Sequence, residues 1–163
     1  MIIVGIDPGL SGAICLLDTE GTFCINDMPV HALVRGAKNK REIDPHRLAI
    51  LLSGTIGHAF IEQVGAMPGQ GVSGVFSLGK TFGIIIGVLA THGVPMTFVS
   101  PVKWKKALQV PASKDGARAR ASQLLPQAAG EWPLVKHDGR AESALIALYG
   151  IQSFHNIAKA AAA

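Results

Sequence analysis

The sequence predicts an α/β fold with a five-stranded mixed sheet flanked by helices, and three features of the chain support this. An apolar, β-branched run at Ile2–Ile6 is followed by two more strand-like segments joined by short turns, which is typical of an antiparallel meander. After residue 44, helical and strand-like segments alternate. The length of 163 residues and the 48% hydrophobic content fit one compact domain with a buried core.

The first half of the chain is predicted to contain the meander, a loop and one helix. The strands are expected at Ile2–Ile6, Ala13–Leu17 and Thr22–Asn26. The segment from Met28 to Glu42 is polar and basic and has no period, so we predict a mobile loop there. The helix that follows begins at Pro45, after an aspartate cap.

The second half adds two strands and four helices, with a glycine-rich loop at 65–74. A meander followed by this alternation is the order of the ribonuclease H-like layout. We predict a single ribonuclease H-like domain over 1–157 and an alanine-rich tail at 158–163, which is either a fraying helix end or an artificial extension. The predicted elements are a strand at His58–Ile61 ending in Glu62, a buried helix at Val75–Thr91, a strand at Pro95–Val99, a short helix opened by Ser100, a helix capped by Ser113 and a last helix at Gly139–Phe154.

Basic residues cluster in two parts of the chain, which has a formal net charge of +4. Solvated surface is the ordinary interpretation of a charge run, but two clusters in a chain with only 16% charged residues favour phosphate binding. The first cluster comprises Arg35, Lys38, Lys40 and Arg41, and the second comprises Lys103, Lys105, Lys106, Lys114, Arg118 and Arg120.

The chain is expected to be soluble and cytoplasmic. Cys15 and Cys24 lie in strand-like segments without metal-ligand spacing, so we interpret both as buried hydrophobic residues of a reducing compartment. The N-terminus enters a strand directly, which argues against a signal peptide. The longest apolar stretch, near Gly83–Ala90, is too short to cross a bilayer, so no membrane partner is expected.

Two carboxylates end predicted core strands. Asp7 follows the first strand, and Glu62 ends the fourth strand and precedes the glycine-rich loop. A lone aspartate at such a position is as often a turn cap as a functional residue. Two carboxylates at the ends of core strands, however, are costly unless water, a metal or another cation reaches them. If the two strands are neighbours, the side chains converge at one point.

The last helix supplies two more carboxylates, Asp138 and Glu142. Their spacing of four places them on one helical face, where a divalent cation would reverse their repulsion. The alternative is that Asp138 caps the helix and Glu142 is its capping partner. Four oxygen ligands from three separate elements suit Mg²⁺ or Mn²⁺, and two such ions can promote an in-line phosphoryl displacement.

These acids lie in four motifs that resemble RuvC-type Holliday junction resolvases, in the same order and over nearly the whole chain. The resemblance implies a bacterial or phage Mg²⁺-dependent endonuclease, with Mn²⁺ able to substitute, that acts as a homodimer and nicks two strands of a four-way DNA junction symmetrically. The motifs are Ile3-Val-Gly-Ile-Asp7-Pro-Gly-Leu-Ser-Gly12, Ile61-Glu62-Gln63-Val64 with the later Ser77-Leu-Gly-Lys-Thr-Phe-Gly83, Val99-Ser-Pro-Val-Lys103-Trp-Lys105, and Asp138-Gly-Arg-Ala-Glu142-Ser-Ala-Leu-Ile-Ala147.

The C-terminal acids depart from the family pattern. Asp7 and Glu62 match the family's first two acids directly. Family members often have Asp or His three residues before the last acid, where this chain has Gly139. We predict Asp138 as the remaining ligand, because residues four apart share a helical face, with His137 as the alternative.

The resemblance also implies where DNA is contacted. Lys103 and Lys114 align with lysines that approach the scissile phosphate, and such contacts position the duplex without reading its sequence. Phe76 lies where the family often stacks an aromatic ring on an unpaired base, although a core role is an equal alternative. Met67 is a weaker stacking candidate, and Trp104 is interpreted as a packing residue. The predicted DNA-binding residues are Lys103, Lys105, Lys106, Lys114, Arg118 and Phe76.

Three other functions stay open from the sequence. A ribonuclease H-like nuclease acting on other branched DNA or on structured RNA has a similar Asp-x-Gly opening. The Asp7-Pro-Gly9 turn also resembles a phosphate loop of actin-like ATPases, although we find no second copy of the loop that such a protein needs. A junction-binding protein that does not cut is disfavoured, because uncompensated carboxylates beside phosphates weaken binding.

Overall fold

A computed structural model of the chain describes residues 1–35, 38–66, 68–113 and 115–161. The strands are β1 (Ile2–Ile6), β2 (Ala13–Asp18), β3 (Phe23–Asp27), β4 (Val30–Arg35), β5 (Lys38–Ile43), β6 (His58–Glu62) and β7 (Met96–Val99). The helices are α1 (Pro45–Leu51), α2 (Val72–Thr91), α3 (Pro101–Ala107), α4 (Gly116–Leu124) and α5 (Asp138–Ala161), and short 3₁₀ turns occur at Pro126–Glu131 and Val135–His137.

The main sheet has five strands in the order β3-β2-β1-β6-β7. Strand β2 pairs antiparallel with β1 and β3, whereas β6 pairs in parallel with β1 and β7. Ile6 of β1 lies opposite Ile61 of β6, so the residues that follow, Asp7 and Glu62, leave the sheet at the same edge. The predicted meander and mixed five-stranded sheet are therefore confirmed, and the neighbouring strands bring these two acids together.

Side chains that alternate along the strands fill one core on each face of the sheet. On one face, Ile3 and Phe60 pack with α3, α4 and α5. On the other face, Val4 and Ile61 pack with α1 and α2. Gly5 lets α5 lie against β1, because a Cβ at this position would be 2.1 Å from a backbone oxygen of the helix. This close approach holds the first turn of α5 near the edge at which β1 and β6 end.

The segment predicted to be a mobile loop forms a hairpin of β4 and β5 instead. Tertiary contacts anchor it: Ile43 is buried in the core with α1 and α2, and Lys80 of α2 pairs with Glu42. The prediction was wrong because the basic residues obscured a strand pattern that depends on this neighbouring helix. The side chains of Arg35 and Lys38, near the hairpin tip, lie outside the described ones.

Two local predictions were also wrong. Helix α4 begins at Gly116 with Asp115 in the cap position, so Ser113 does not cap it. Cys15 is buried as predicted, but Cys24 is exposed because β3 is an edge strand with one face in solvent. Neither difference moves the strands that carry the predicted site.

The prediction of a buried helix holds for only one side of α2. Thr81, Ile85 and Leu89 are buried, whereas Val72 and Phe76 near its start are 87% and 71% exposed. By length and composition α2 could cross a bilayer, so the prediction that no apolar stretch is long enough was wrong. One side of α2 packs on the main sheet and on α1, and 17% of its apolar stretch is buried.

Candidate active site

Carboxylates from three elements interact at the edge where β1 and β6 end. Asp7 follows β1, Glu62 ends β6, and Glu142 lies one turn into α5. Burial raises the pKa of Asp7 to about 7, and the negative charges of Glu142 and Glu62 contribute to the rise. The negative charge of Glu142 thus opposes ionisation of both Asp7 and Glu62, so the three side chains are electrostatically coupled.

Glycines determine how closely α5 approaches Asp7. The backbone N–H of Gly9 donates to Oδ1 of Asp7 at 3.2 Å, which fixes the turn after β1. A Cβ on Gly139 would lie 3.0 Å from Oδ2 of Asp7 and 2.7 Å from Cα of Gly12. The position three residues before Glu142 consequently has no room for an acid or histidine without movement of the loop. This contact gives a steric reason for the departure from the family pattern.

Trp104 holds the carboxylate of Glu62. The indole Nε1 donates to Oε1 of Glu62 at 3.0 Å, and Trp104 is fully buried in the core. Burial raises the pKa of Glu62, and this hydrogen bond partly offsets the rise. Trp104 packs as predicted, but the sequence interpretation missed its second role. A buried tryptophan usually needs a partner for its N–H, and that requirement was the available signal.

Among the lysines of α3, Lys105 is the one that reaches the carboxylates. Its Nζ donates to Oε1 of Glu142 at 2.7 Å and lies 5.0 Å from the centre of the Trp104 ring. Its charge lowers the pKa values of both Asp7 and Glu62, against the larger effect of burial. Lys103, which the resemblance aligns with a phosphate-contacting lysine, is exposed on α3.

Asp138 lies on the same side of α5 as Glu142, and both line a groove beside Lys105. Its carboxylate is bound by Arg118, whose Nε donates to Oδ1 at 2.7 Å. Arg118 also pairs with Asp115, so this predicted DNA-binding residue connects α4 to the start of α5. The alternative ligand, His137, lines a different groove.

The donor set suits a hard divalent cation, because carboxylate oxygens are the ligands such ions prefer. Burial, and to a smaller extent the negative charge of Glu142, raises the pKa values of Asp7 and Glu62, and a bound cation would offset both effects. Over the described ranges, no three acidic, histidine or cysteine side chains are placed to enclose a metal ion as they stand. The ammonium of Lys105 forms an ion pair with the carboxylate of Glu142 in this arrangement, so a metal must compete with the lysine for that carboxylate.

Two further predicted DNA-binding residues, Lys106 and Phe76, lie on the surface of the described chain. Lys106, like Lys103, is exposed on α3. Phe76 is 71% exposed, so the alternative of a core role is wrong for the single chain. Met67 and Lys114 lie outside the described residues.

No protein-family model matches the sequence, and no curated protein matches it. Solved structures do match over nearly the full chain. Thermus thermophilus RuvC in complex with a Holliday junction substrate has a TM-score of 0.64 and 14% identity, covering 95% of this chain and 96% of that one. A second T. thermophilus RuvC structure has a TM-score of 0.57 and 18% identity, covering 96% and 97%.

A eukaryotic structure shows the same architecture. The yeast mitochondrial Holliday junction resolvase Ydc2 matches with a TM-score of 0.55 and 12% identity, covering 96% of this chain and 82% of that chain. Because each match covers 95–96% of this chain, it includes nearly all of the main sheet and of the helix that carries Glu142. The chain therefore has the ribonuclease H-like fold of the RuvC-type Holliday junction resolvases.

Proposed function

We propose that the chain is a divalent-metal-dependent endonuclease that cuts branched DNA, with four-way junctions as its preferred substrate. The observation that carries the proposal is geometric: Asp7 and Glu62 lie at the ends of two neighbouring parallel strands, and the start of α5, which carries Glu142, packs against Asp7. The fold supports it, because the similar T. thermophilus RuvC structure contains a Holliday junction substrate.

The metal ligands in this proposal are Asp7, Glu62 and Glu142, and Asp138 is a further candidate if it leaves Arg118. Bound Mg²⁺, or Mn²⁺ in its place, would activate a water for attack on the phosphodiester and stabilise the leaving oxygen. Trp104 orients Glu62 by its 3.0 Å hydrogen bond. The protein thus holds its carboxylates in place before substrate arrives.

The lysines of α3 have two separate tasks in this proposal. Lys105 pairs with Glu142 and balances its charge while the metal is absent, since its ammonium lies 2.7 Å from that carboxylate. Lys103 and Lys106 are exposed and can bind phosphates on either side of the cut. Phe76, at the exposed start of α2, is available to stack on an unpaired base near the crossover.

The proposed function is tested by cleavage of a matched set of substrates that share one sequence. Four-way, three-way, flap and linear DNA, and a structured RNA, are incubated with Mg²⁺, Mn²⁺ or EDTA. We expect paired nicks in the four-way junction with either metal and none with EDTA. Asp7→Asn should bind the junction with unchanged affinity but leave it uncut, because the charge is removed without a change of shape.

Three results would contradict parts of the proposal. Faster cleavage of structured RNA than of any DNA would favour the ribonuclease H-like alternative. Junction binding without cleavage by the wild-type chain, under all metal conditions, would favour the binding protein that does not cut. Equal cutting by Asp7→Asn and wild type would end the metal-site assignment.

We further propose that the chain acts as a homodimer and that α2 forms its interface. Gly79, Gly83 and Gly87 lie four residues apart, are exposed, and have open space where a Cβ would be. Because these positions lack side chains, they leave a flat strip along α2 against which the backbone of a second copy of the helix can pack closely. A two-fold pair arranged in this way would present two active sites to one junction.

The dimer is tested with Gly83→Gln and Gly87→Gln together. Glutamine has a higher helix propensity than glycine, so α2 should be maintained while its side chains obstruct close approach of a second helix. We expect a shift from dimer to monomer in light scattering at micromolar concentration, together with loss of paired nicking. Gly54→Gln is the matched control, because Gly54 is also exposed and has open space around it. A wild-type monomer that still nicks in pairs would contradict the interface.

A further inference from the structure

A second groove lies beside the carboxylates, on the other side of the first turn of α5. It has a volume of about 460 Å³ and is bordered by the loop after β1, the end of β3, strand β5 and the start of α5. Four of its lining side chains are basic or histidine, namely Arg41, Lys136, His137 and Arg140. Of these, only Arg41 belongs to the basic clusters recognised in the sequence, and Lys136 and Arg140 are assigned no role by the proposed function.

The cations come from two walls that are far apart in the chain. Lys136, in the 3₁₀ turn that precedes α5, and Arg140, in the first turn of α5, are four residues apart, and both line the groove. Arg41 approaches from β5, and its Nη2 donates to the hydroxyl oxygen of Ser11 at 3.2 Å. An anion in the groove would therefore be contacted from both sides.

Arg140 is held in one orientation. Its Nε and Nη2 donate to the two carboxylate oxygens of Asp27 at 2.6 and 2.7 Å, and its Nη1 donates to the backbone oxygen of Glu131 at 3.1 Å. The Arg140 guanidinium lowers the pKa of Asp27, so this carboxylate stays ionised and pairs with it. The permanent charges of Arg41, Lys136 and Arg140 still exceed the single negative charge of Asp27.

The groove is continuous with the back of the active site. Ser11 and Gly12 form part of its lining, and a Cβ on Gly139 would lie 2.8 Å from the backbone oxygen of Ser11 and 3.0 Å from Oδ2 of Asp7. Asp138 and Glu142 line the groove on the other side, together with Lys105. The first turn of α5 thus separates an acidic cleavage groove from a basic groove.

We propose that the basic groove binds the phosphate backbone of a nucleic-acid strand next to the cleavage site. Clefts lined by one sign of charge concentrate the field, and preoriented guanidinium groups suit phosphate oxygens. Cations on two opposing walls match an extended polyanion better than a single small ion. In this arrangement the lysines of α3 and the basic groove hold DNA on opposite sides of the α5 turn, and the DNA substrate itself rests on the proposed function.

The test is the salt dependence of binding by Arg41→Gln with Lys136→Gln. Both residues are exposed, so the double variant should fold, and its melting temperature checks this. Affinity for a four-way junction is measured across a salt series in Ca²⁺, alongside wild type. We expect at least tenfold weaker binding, and a fall of about one to two in the slope of log affinity against log salt, because each lost phosphate contact lowers it by about one.

Arg47→Gln is the matched control, because Arg47 is an exposed arginine of α1 that does not line the basic groove. It should leave the salt slope at the wild-type value. A double variant with wild-type slope and affinity would overturn the groove proposal even if the enzyme cuts junctions normally. If wild type binds but never cuts, the cleavage proposal fails, whereas a reduced slope in the double variant would still establish the groove.

Discussion

Asp7→Asn, Glu62→Gln and Glu142→Gln are each expected to lower the rate of junction cleavage by about 10³-fold or more. Each substitution removes one negative charge from the coupled carboxylates and keeps nearly the same shape. Stabilisation by a bound metal contributes several kcal/mol to such reactions, and about 1.4 kcal/mol corresponds to a tenfold change in rate. The measurement is the single-turnover rate on a four-way junction at saturating enzyme, so that weaker binding does not contribute.

Asp138→Asn should have a smaller effect, about 10–100-fold, which is typical of residues that support the ligands of a metal. The reason is that its carboxylate is bound by Arg118 at 2.7 Å, and its charge is not among those that raise the pKa of Asp7. Glu20→Gln is the control, because Glu20 is an exposed acid in the turn after β2 and should cut at the wild-type rate.

The relative cleavage rates of these variants decide which carboxylates bind the metal. If Asp138→Asn is as inactive as Asp7→Asn, then Asp138 leaves Arg118 and joins the metal site in the complex with DNA. If Glu142→Gln cuts at the wild-type rate, the assignment of α5 as a metal-binding element is wrong.

Asp7→Asn is also expected to stabilise the metal-free protein at pH 8. Burial is the main reason that the pKa of Asp7 lies at about 7 instead of 3.8. A carboxyl with a raised pKa in the folded state contributes stability while it is protonated, and this contribution is lost as the pH rises from about 4 through 7. Above pH 7 the wild type therefore carries a cost of the order of 2–4 kcal/mol, which the neutral asparagine avoids.

Thermal unfolding in EDTA, measured from pH 5 to pH 8, tests this. A change of 1 kcal/mol shifts the Tm of a domain of this size by about 2–4 °C, so Asp7→Asn should exceed the wild type by roughly 5–10 °C at pH 8. The gap should shrink towards pH 5, where Asp7 is protonated in the folded wild type. Added Mg²⁺ or Mn²⁺ should raise the Tm of the wild type more than that of the variant, because binding to the folded state stabilises it.

A Tm of Asp7→Asn that equals or falls below that of the wild type at pH 8 in EDTA would show that Asp7 is not electrostatically strained. Glu20→Gln again serves as the control and should keep the wild-type pH profile. An equal metal-dependent increase in Tm for both proteins would place the bound ion elsewhere on the chain.

The sequence determined the architecture of the main sheet, because that information is local. Short apolar strands, turn residues and the helical period are read directly along the chain, and the meander, β6, β7 and α5 follow from them. The acids Asp7 and Glu62 were identifiable for the same reason, since each ends an apolar strand. The hairpin of β4 and β5 was not predicted, because its structure depends on contacts with residues of α2 that lie far away in the sequence.

Only the tertiary structure decided which polar side chains meet. Trp104 donates a hydrogen bond to Glu62, which is 42 residues away in the sequence. Lys105 and Glu142 are paired although 37 residues separate them, and Arg118 and Asp138 are paired although 20 residues separate them. A helical period places Asp138 and Glu142 on one face, but it does not reveal which cation approaches either of them. The sequence thus determined the strands and helices that carry the acids, because their patterns are periodic. The tertiary structure decided charge pairing, because electrostatic partners are chosen by distance in space and not by separation along the chain.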